Sequence, residues 1–598
     1  MERNPLYSAS GIDLTEEERG IVAEEFPRMV AAFEPTLAHV HAPGLAMGVV
    51  VNGELVHIHV AGKRNLAADA PVAADTVFRI ASMTKSFGAL AILQLRDAGL
   101  LELDHPAARY VPELAGLAYP SADSPPVTIR RLLTMQAGLP QDDPWADRQI
   151  AQDDEWLSDF LRRGIPWSNP PGVTFEYSNL GYMILGRVIA AVSGQSAQAY
   201  INANILAPLG MTDTVWAPAQ APPERLAWGY DWLDGRHHAL ELLPSNHDGA
   251  VFAGLFTTLA DLSKWITLFN RAWPPGGEAE SSILQPGSLR EMQQIWSPYP
   301  PALVRNAAGI GLRAKLSGYG YGLSMTQNEH TLVVGHSGGL PGFGSNMQWA
   351  TNRSLGIIAL ANVTYAGVGR ICGQVFEQLT DRLHKNSACF SVPSITPPLT
   401  TAREGVNRLL ERWDDAVADA LFADNFFLDL DRAHWQQELL ELSERHGALR
   451  EAGAFRAENW LRGSWRMQGE RGWCDIWLSL APTHPPAIQE LEVTSVLPPT
   501  EAGRHSMEAL ARLISRPTRR ELDRLRAADS DRTALWRQIG IAHQLLGPCS
   551  VGELLGGDGA TEIRMRLVGA YGNGDVEIHC DARCRVACLR FMRFTDEN

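Results

Sequence analysis

Two uninterrupted apolar runs, Gly44 to Val51 (GLAMGVVV) and Leu355 to Leu360 (LGIIAL), do most to restrict how this chain can fold. Each has the length of a strand and no polar face, so each belongs inside a sheet that is covered. Neither approaches the 18 or so apolar residues that a bilayer span needs, which argues against a membrane as partner.

The segments around these runs extend the pattern. Asn52-Gly53 is a tight-turn pair, and the following ELVHIHVAG makes a hairpin with GLAMGVVV. An acidic amphipathic stretch, Thr15 to Phe33, precedes it and is expected to be helical. Further on, SMTKSFGALAILQLRDAGLLELD places Phe87, Leu90, Ala91, Leu95 and Ala98 at helical spacing before Gly99, so Ser82 opens a buried helix. YSNLGYMILGRVIAAVSG fits a second helix, in a helical and loop-rich middle. HTLVVGHSGG and NMQWATNRSLGIIALANVT read as two strands joined by LPGFG. A sheet flanked by helices, with a helical insert, is expected over residues 1–390.

At 598 residues the chain exceeds one domain. SVPSITPPLTT has no periodicity, and residues 391–402 are read as a linker. Two successive helix-then-strand units follow, at 403–498 and 499–598, each expected to be a small α+β domain. In the second, TEIRMRLVG and DVEIHC are expected to join at Asn573-Gly574, and the two units share a layout.

A net charge of −16 with no Lys/Arg-rich block disfavours nucleic acid. The polar, acidic N-terminus lacks the pattern of a secretory signal. None of the seven cysteines lies in the first 371 residues, and such usage suits a reducing cytoplasm. Cys580, Cys584 and Cys588 with His579 lack a Cys-x-x-Cys pair, so they are read as core thiols and no metal is expected.

Chemistry concentrates in three places. A serine needs a base to become a nucleophile, and a lysine three residues on lies one helical turn away. Of the five lysines only Lys85 has a serine at that spacing, Ser82. Burial against Phe87 would depress the lysine's pKa. Tyr177-Ser178-Asn179 supplies a phenol and an amide at a helix start, and acyl transfer also needs a group that returns a proton to the leaving group. Gly335-His336-Ser337-Gly338-Gly339 ends a strand, where small residues let a substrate lie against the backbone and take hydrogen bonds from it. That pentad also matches Gly-x-Ser-x-Gly, but a nucleophile elbow passes directly into a helix and here LPGFG follows. The loop Asp142 to Arg148, acidic and containing Pro144, is read as structural.

Ser82-x-x-Lys85, Tyr177-x-Asn179 and His336-x-Gly338, in that order, resemble the serine β-lactamase-related family of class C β-lactamases, D-aminopeptidases, carboxypeptidases and esterases. TVFRIASMTKSF, TIRRLLTMQAGL, PPGVTFEYSNLGY and LFTTLADLSKW are similar as well, over about residues 20 to 380. The resemblance implies a catalytic domain of the β-lactamase/transpeptidase type, an antiparallel sheet with flanking helices and a helical subdomain. Ser82 would be the acylated nucleophile, Lys85 its proton partner and Tyr177 the relay. Asn179, His336, Ser337, Gly338 and Gly339 would bind substrate, with the backbone N–H groups of Ser82 and Gly339 as the oxyanion hole. No cofactor is implied. His336 stands where penicillin-recognising relatives carry a lysine, so efficient β-lactamase activity is not expected. The favoured activity is that of a D-aminopeptidase-like amidase on a small molecule or short peptide. A short-chain carboxylesterase, or a silent penicillin-binding-like scaffold, is the alternative, and homo-oligomerisation is compatible with either.

Overall fold

Thr15 opens the first helix of the computed structural model by a reciprocal cap: its hydroxyl accepts from the Glu18 backbone N–H while the Glu18 carboxylate accepts from that of Thr15. Helix α1 (Glu16–His39) runs on past Phe33, the expected end. The structure describes residues 12–275, 283–305, 312–327, 331–386 and 395–595. Contacts divide the chain into two units. Of the described residues, those within 12–302 and 314–386 form one unit, and those within 395–595, with 303–305 and 312–313, form the other.

In the first unit, β1 (Gly44–Val51) and β2 (Glu54–Asn65) form the hairpin expected at Asn52-Gly53. Helix α2 (Lys85–Asp97) follows a 3₁₀ turn at Ala81–Thr84, so Ser82 sits in that turn, just ahead of the α-helix it was expected to open. Helices α3 (Asn179–Ser193) and α4 (Leu259–Asn270) belong to the insert. The sheet resumes with β3 (Leu312–Tyr319), β4 (Ser324–Gln327), β5 (Leu332–Leu340), β6 (Phe343–Ala350) and β7 (Leu355–Ala361), and α5 (Val368–Asn386) ends the unit.

The segment read as one strand after LPGFG is therefore two, β6 and β7, because the polar Thr351–Ser354 turns the chain between them. The antiparallel order is β2-β1-β7-β6-β5-β4-β3. The two apolar runs lie side by side, from Leu45 opposite Ala361 to Val51 opposite Leu355. Both are buried throughout because helices cover both faces. Helices α1 and α5 close one face over Val49, Ile357 and Ala359, while α2, α3 and α4 pack with Val50 and Ile358 on the other. This is the architecture expected for the first 390 residues.

In the second unit, α6 (Pro397–Glu411) is capped by Thr396 and begins with prolines. The end of the expected linker is thus helical, and residues 391–394 lie outside the described residues. Helices α7 (Asp415–Leu421) and α8 (Arg432–His446) lead into β8 (Arg450–Asn459), β9 (Arg462–Gly469), β10 (Gly472–Leu480) and β11 (Ile488–Val496). The order then recurs: α9 (Glu501–Ser515), α10 (Arg519–Leu525), α11 (Arg532–Leu546), β12 (Cys549–Gly557), β13 (Glu562–Gly569), β14 (Asn573–Cys580) and β15 (Val586–Thr595).

The helices are 15, 7 and 15 residues long in both halves. Each half has its own apolar cluster, yet all eight strands form one sheet through a parallel contact of β11 with β12 at Val496 and Gly557. A bidentate Arg466–Asp475 pair in the first half has its counterpart in Arg566–Asp575. Asn573 starts β14 opposite Val568, so the hairpin turns at Ala570–Gly572 and the Asn573-Gly574 pair expected to make the turn is in the strand. The six described cysteines are free thiols, and Cys389 lies outside the described residues. No described helix is long and apolar enough to cross a membrane.

Candidate active site

Ala81 takes a left-handed backbone, φ 50°, immediately before Ser82. For a residue with a side chain that conformation costs about 1–2 kcal/mol, a strain that packing around the turn must offset. Among Ala81 to Leu90, Ser82 alone is not buried, so the strained turn presents one hydroxyl to solvent above an apolar helix.

Lys85 is fully buried one turn on, and its Nζ contacts three oxygens. Asn179 Oδ1 lies at 2.6 Å, the Phe252 carbonyl at 2.9 Å and Ser82 Oγ at 3.1 Å. Burial pushes the amine down to about 7, against the opposing pull of Asp143, Asp142 and Asp147. A neutral amine has two hydrogens and one lone pair. With the hydrogens given to Asn179 and Phe252, the lone pair is left facing Ser82 Oγ, the geometry of a base. The phenol of Tyr177 also hydrogen-bonds Ser82, and its ring centroid is 4.9 Å from Lys85 Nζ. Desolvation raises Tyr177 well above the ordinary tyrosine range, so it is a neutral phenol near pH 7.

The contacts of Lys85 depend on close helix packing. Gly186 in α3 passes the 3₁₀ turn Asp248–Phe252 so closely that a Cβ would collide with the Asp248 carbonyl. That approach brings the Phe252 carbonyl onto Lys85. Asn179, expected to hold a substrate amide, is 1% exposed. Its Oδ1 takes Lys85 and its Nδ2 donates to Asp143 Oδ1 at 2.7 Å. Both polar atoms of its amide thus have partners within the site, Lys85 and Asp143. Asp142 accepts from the backbone N–H groups of Asn179 and Leu180 at 2.7 and 2.8 Å and so caps α3. The Asp142–Arg148 loop, read as merely structural, thus belongs to the site.

Strand β5 supplies the other wall. Its pairing with β4 ends at Gly335 opposite Ser324, and the next residues pack on the Ser82 turn. Gly338 allows this, because a Cβ there would strike the Ile80 carbonyl. The His336 ring, expected to contact substrate, is buried. Its Nε2 meets the Tyr319 hydroxyl at 3.1 Å and its Nδ1 faces the Ser337 carbonyl. Since a carbonyl only accepts, Nδ1 carries the hydrogen and Tyr319 donates to Nε2. Burial, with Lys85 nearby, pushes His336 down to about 3, so it is neutral. Ser337 is exposed, but its hydroxyl turns to the opposite face of β5, accepting from Asn346 Nδ2 at 2.9 Å against the start of α5. Gly339 lies under the ring of Tyr365.

Of the residues expected from sequence, the fold gathers Ser82, Lys85, Tyr177 and Asn179 into one hydrogen-bonded group and sets the backbone of Gly338 and Gly339 beside it. Sequence reasoning missed Asp142, Asp143, Tyr319 and the Phe252 carbonyl. They lie far along the chain from the groups they orient, and no local spacing announces them.

The beta-lactamase family model matches residues 29–372. Esterase EstB of Burkholderia gladioli is 31% identical over 372 residues, covering 57% of this chain and 91% of the esterase. Protein flp of Staphylococcus aureus (strain COL) is 29% identical over 343 residues, again 57% of this chain, which spans 64% of that protein. Among solved structures, the D-amino acid amidase of Ochrobactrum anthropi SV3 is 25% identical, covering 60% of this chain and 99% of the amidase with a TM-score of 0.47.

Proposed function

The chain belongs to the β-lactamase family and is a serine hydrolase, and from that premise we propose that it cleaves neutral short-chain carboxylic esters through an acyl-enzyme on Ser82. One observation carries the reading: Lys85 Nζ lies 3.1 Å from Ser82 Oγ with Asn179 Oδ1 and the Phe252 carbonyl as its other two partners, so the neutral amine can give a hydrogen to each of those two and turn its lone pair to Ser82.

In the first half-reaction Ser82 Oγ attacks the carbonyl carbon as its proton passes to Lys85. The oxyanion forms against the backbone N–H groups of Ser82 and Gly339, each such donor contributing about 3–4 kcal/mol to the transition state. The C–O bond breaks as Tyr177 gives its proton to the departing alkoxide and is reprotonated from Lys85. In the second half-reaction water attacks the Ser82 ester. Its proton returns through the same two groups, and Ser82 leaves as the hydroxyl.

Neutral His336, enclosed by Tyr319 and the Ser337 carbonyl, offers no cation to a substrate carboxylate. This supports uncharged substrates over penicillins. The esterase relative supports esters. A second reading, hydrolysis of D-amino acid amides, has a specific support in Asp147, a buried carboxylate near Lys85 that burial raises to about 6 and that would welcome an ammonium group.

The test is intact-mass analysis after exposure to a fluorophosphonate, on wild type and Ser82→Ala, alongside hydrolysis of p-nitrophenyl acetate and D-alanine p-nitroanilide. An adduct on wild type alone with faster ester turnover is expected. Labelling that persists in Ser82→Ala would remove Ser82 as nucleophile, and faster anilide turnover would replace the ester reading by the amide one.

A further inference from the structure

Tyr365 is held in a conformation that aromatic residues rarely adopt, with φ 47°. The segment around it is pinned from both sides. Thr364 N–H donates to the Tyr230 carbonyl at 2.9 Å, Thr364 Oγ1 accepts from Gly342 N–H at 2.7 Å, and Tyr365 N–H donates to the Phe343 carbonyl at 3.2 Å. The strained backbone delivers the ring to one place. A Cβ on Gly339 would fall against Cδ1 and Cε1 of Tyr365, so the ring covers that glycine. The Tyr365 hydroxyl donates to Asp147, on the loop whose Asp142 and Asp143 hold Asn179. Tyr365 therefore reaches from β5 to the loop on the Lys85 side of Ser82. Despite both tethers it is 48% exposed, so part of the ring faces open space.

We propose that Tyr365 is a specificity-determining residue, an end wall of the cleft that contacts the acyl chain of the substrate and restricts it to short groups. The direction follows from the roles already proposed, on which this inference rests. Tyr177 serves the leaving group, and the His336 ring is 6.3 Å from the Tyr177 ring, centroid to centroid. Gly339 lies three residues further along β5, about 10 Å on at the usual rise of a strand. The half of the substrate that runs past the oxyanion donor at Gly339, away from Tyr177, is the acyl half, and it meets Tyr365. Substrates with two or three acyl carbons end before the ring, whereas an octanoyl chain must displace it and break its bond to Asp147.

The test is the ratio of kcat/KM for p-nitrophenyl octanoate to that for p-nitrophenyl acetate, measured with wild type, Tyr365→Ala and Tyr365→Trp. Because a single methylene in an apolar pocket changes discrimination by about tenfold or more, Tyr365→Ala is expected to raise the ratio at least about tenfold. Tyr365→Trp is expected to lower it, which keeps the test decisive if the alanine variant does not fold. A ratio unchanged in a variant that still takes the fluorophosphonate overturns the proposal. Labelling that survives Ser82→Ala indicts the nucleophile assignment instead, whatever the ratios.

Discussion

At the scale of single residues, the proposed mechanism makes Lys85 the group that decides when the site can work. Its pKa of about 7 is set first by burial, and only the neutral amine has a lone pair for the Ser82 proton. Activity should therefore be low when Lys85 is charged and rise with pH, so kcat/KM for p-nitrophenyl acetate is expected to climb through an apparent pKa near 7. His336, already neutral far below that range, should add no second step on the acid side. Lys85→Ala is expected to lower kcat by about 10²–10⁴-fold, the usual worth of a positioned proton acceptor. Lys85→Arg should not rescue it, because a guanidinium stays charged at every accessible pH. A pH profile and a rate for each variant check all four statements. These residues were legible in the chain because Ser82, Lys85 and Tyr177 are coded by local spacing and by the apolar run behind them. The hydrogen bonds of Asn179 were not, since they reach Lys85 and, on a distant loop, Asp143.

At the scale of elements, the site depends on how closely helix α3 approaches the Asp248–Phe252 turn. Gly186 has no side chain, and a Cβ there would collide with a backbone oxygen that cannot rotate away. Gly186→Val must push that turn aside, and overpacking of this kind costs about 1–3 kcal/mol. The turn carries the Phe252 carbonyl that takes a hydrogen of Lys85. The same substitution is thus expected to lower kcat beyond what its stability loss explains, and urea unfolding together with kcat at 25 °C separates the two effects. The sheet was readable because strands buried on both faces carry no polar alternation, as in Gly44–Val51 and Leu355–Ala361. What escaped was register and turn placement. Thr351–Ser354 divides a segment that reads as one strand, and Asn573-Gly574, a strong hairpin signal, is overridden by cross-strand pairing of Asn573 with Val568.

At the scale of the whole molecule, the chain holds two units whose apolar clusters share no residue. The residues gathered around Ser82 all come from the first, and the repeated helix and strand lengths come from the second. Units with separate cores unfold as separate cooperative events unless their contact is strong. Calorimetry is therefore expected to show two transitions. A fluorophosphonate adduct on Ser82 stays attached when the chain unfolds, so it changes stability only through the contacts it makes in the folded cleft, and those belong to the first unit alone. Wild type carrying the adduct should show one transition displaced and the other in place, while Ser82→Ala treated in the same way should show neither displaced. Ile476→Ala, which opens a cavity in the first half of the second unit, should cost about 2–5 kcal/mol there and lower only the transition that the adduct leaves alone. If Ile476→Ala instead lowers the transition that the adduct raises, the second unit is bound thermodynamically to the hydrolase, and its eight-stranded sheet becomes part of what keeps Ser82 in place.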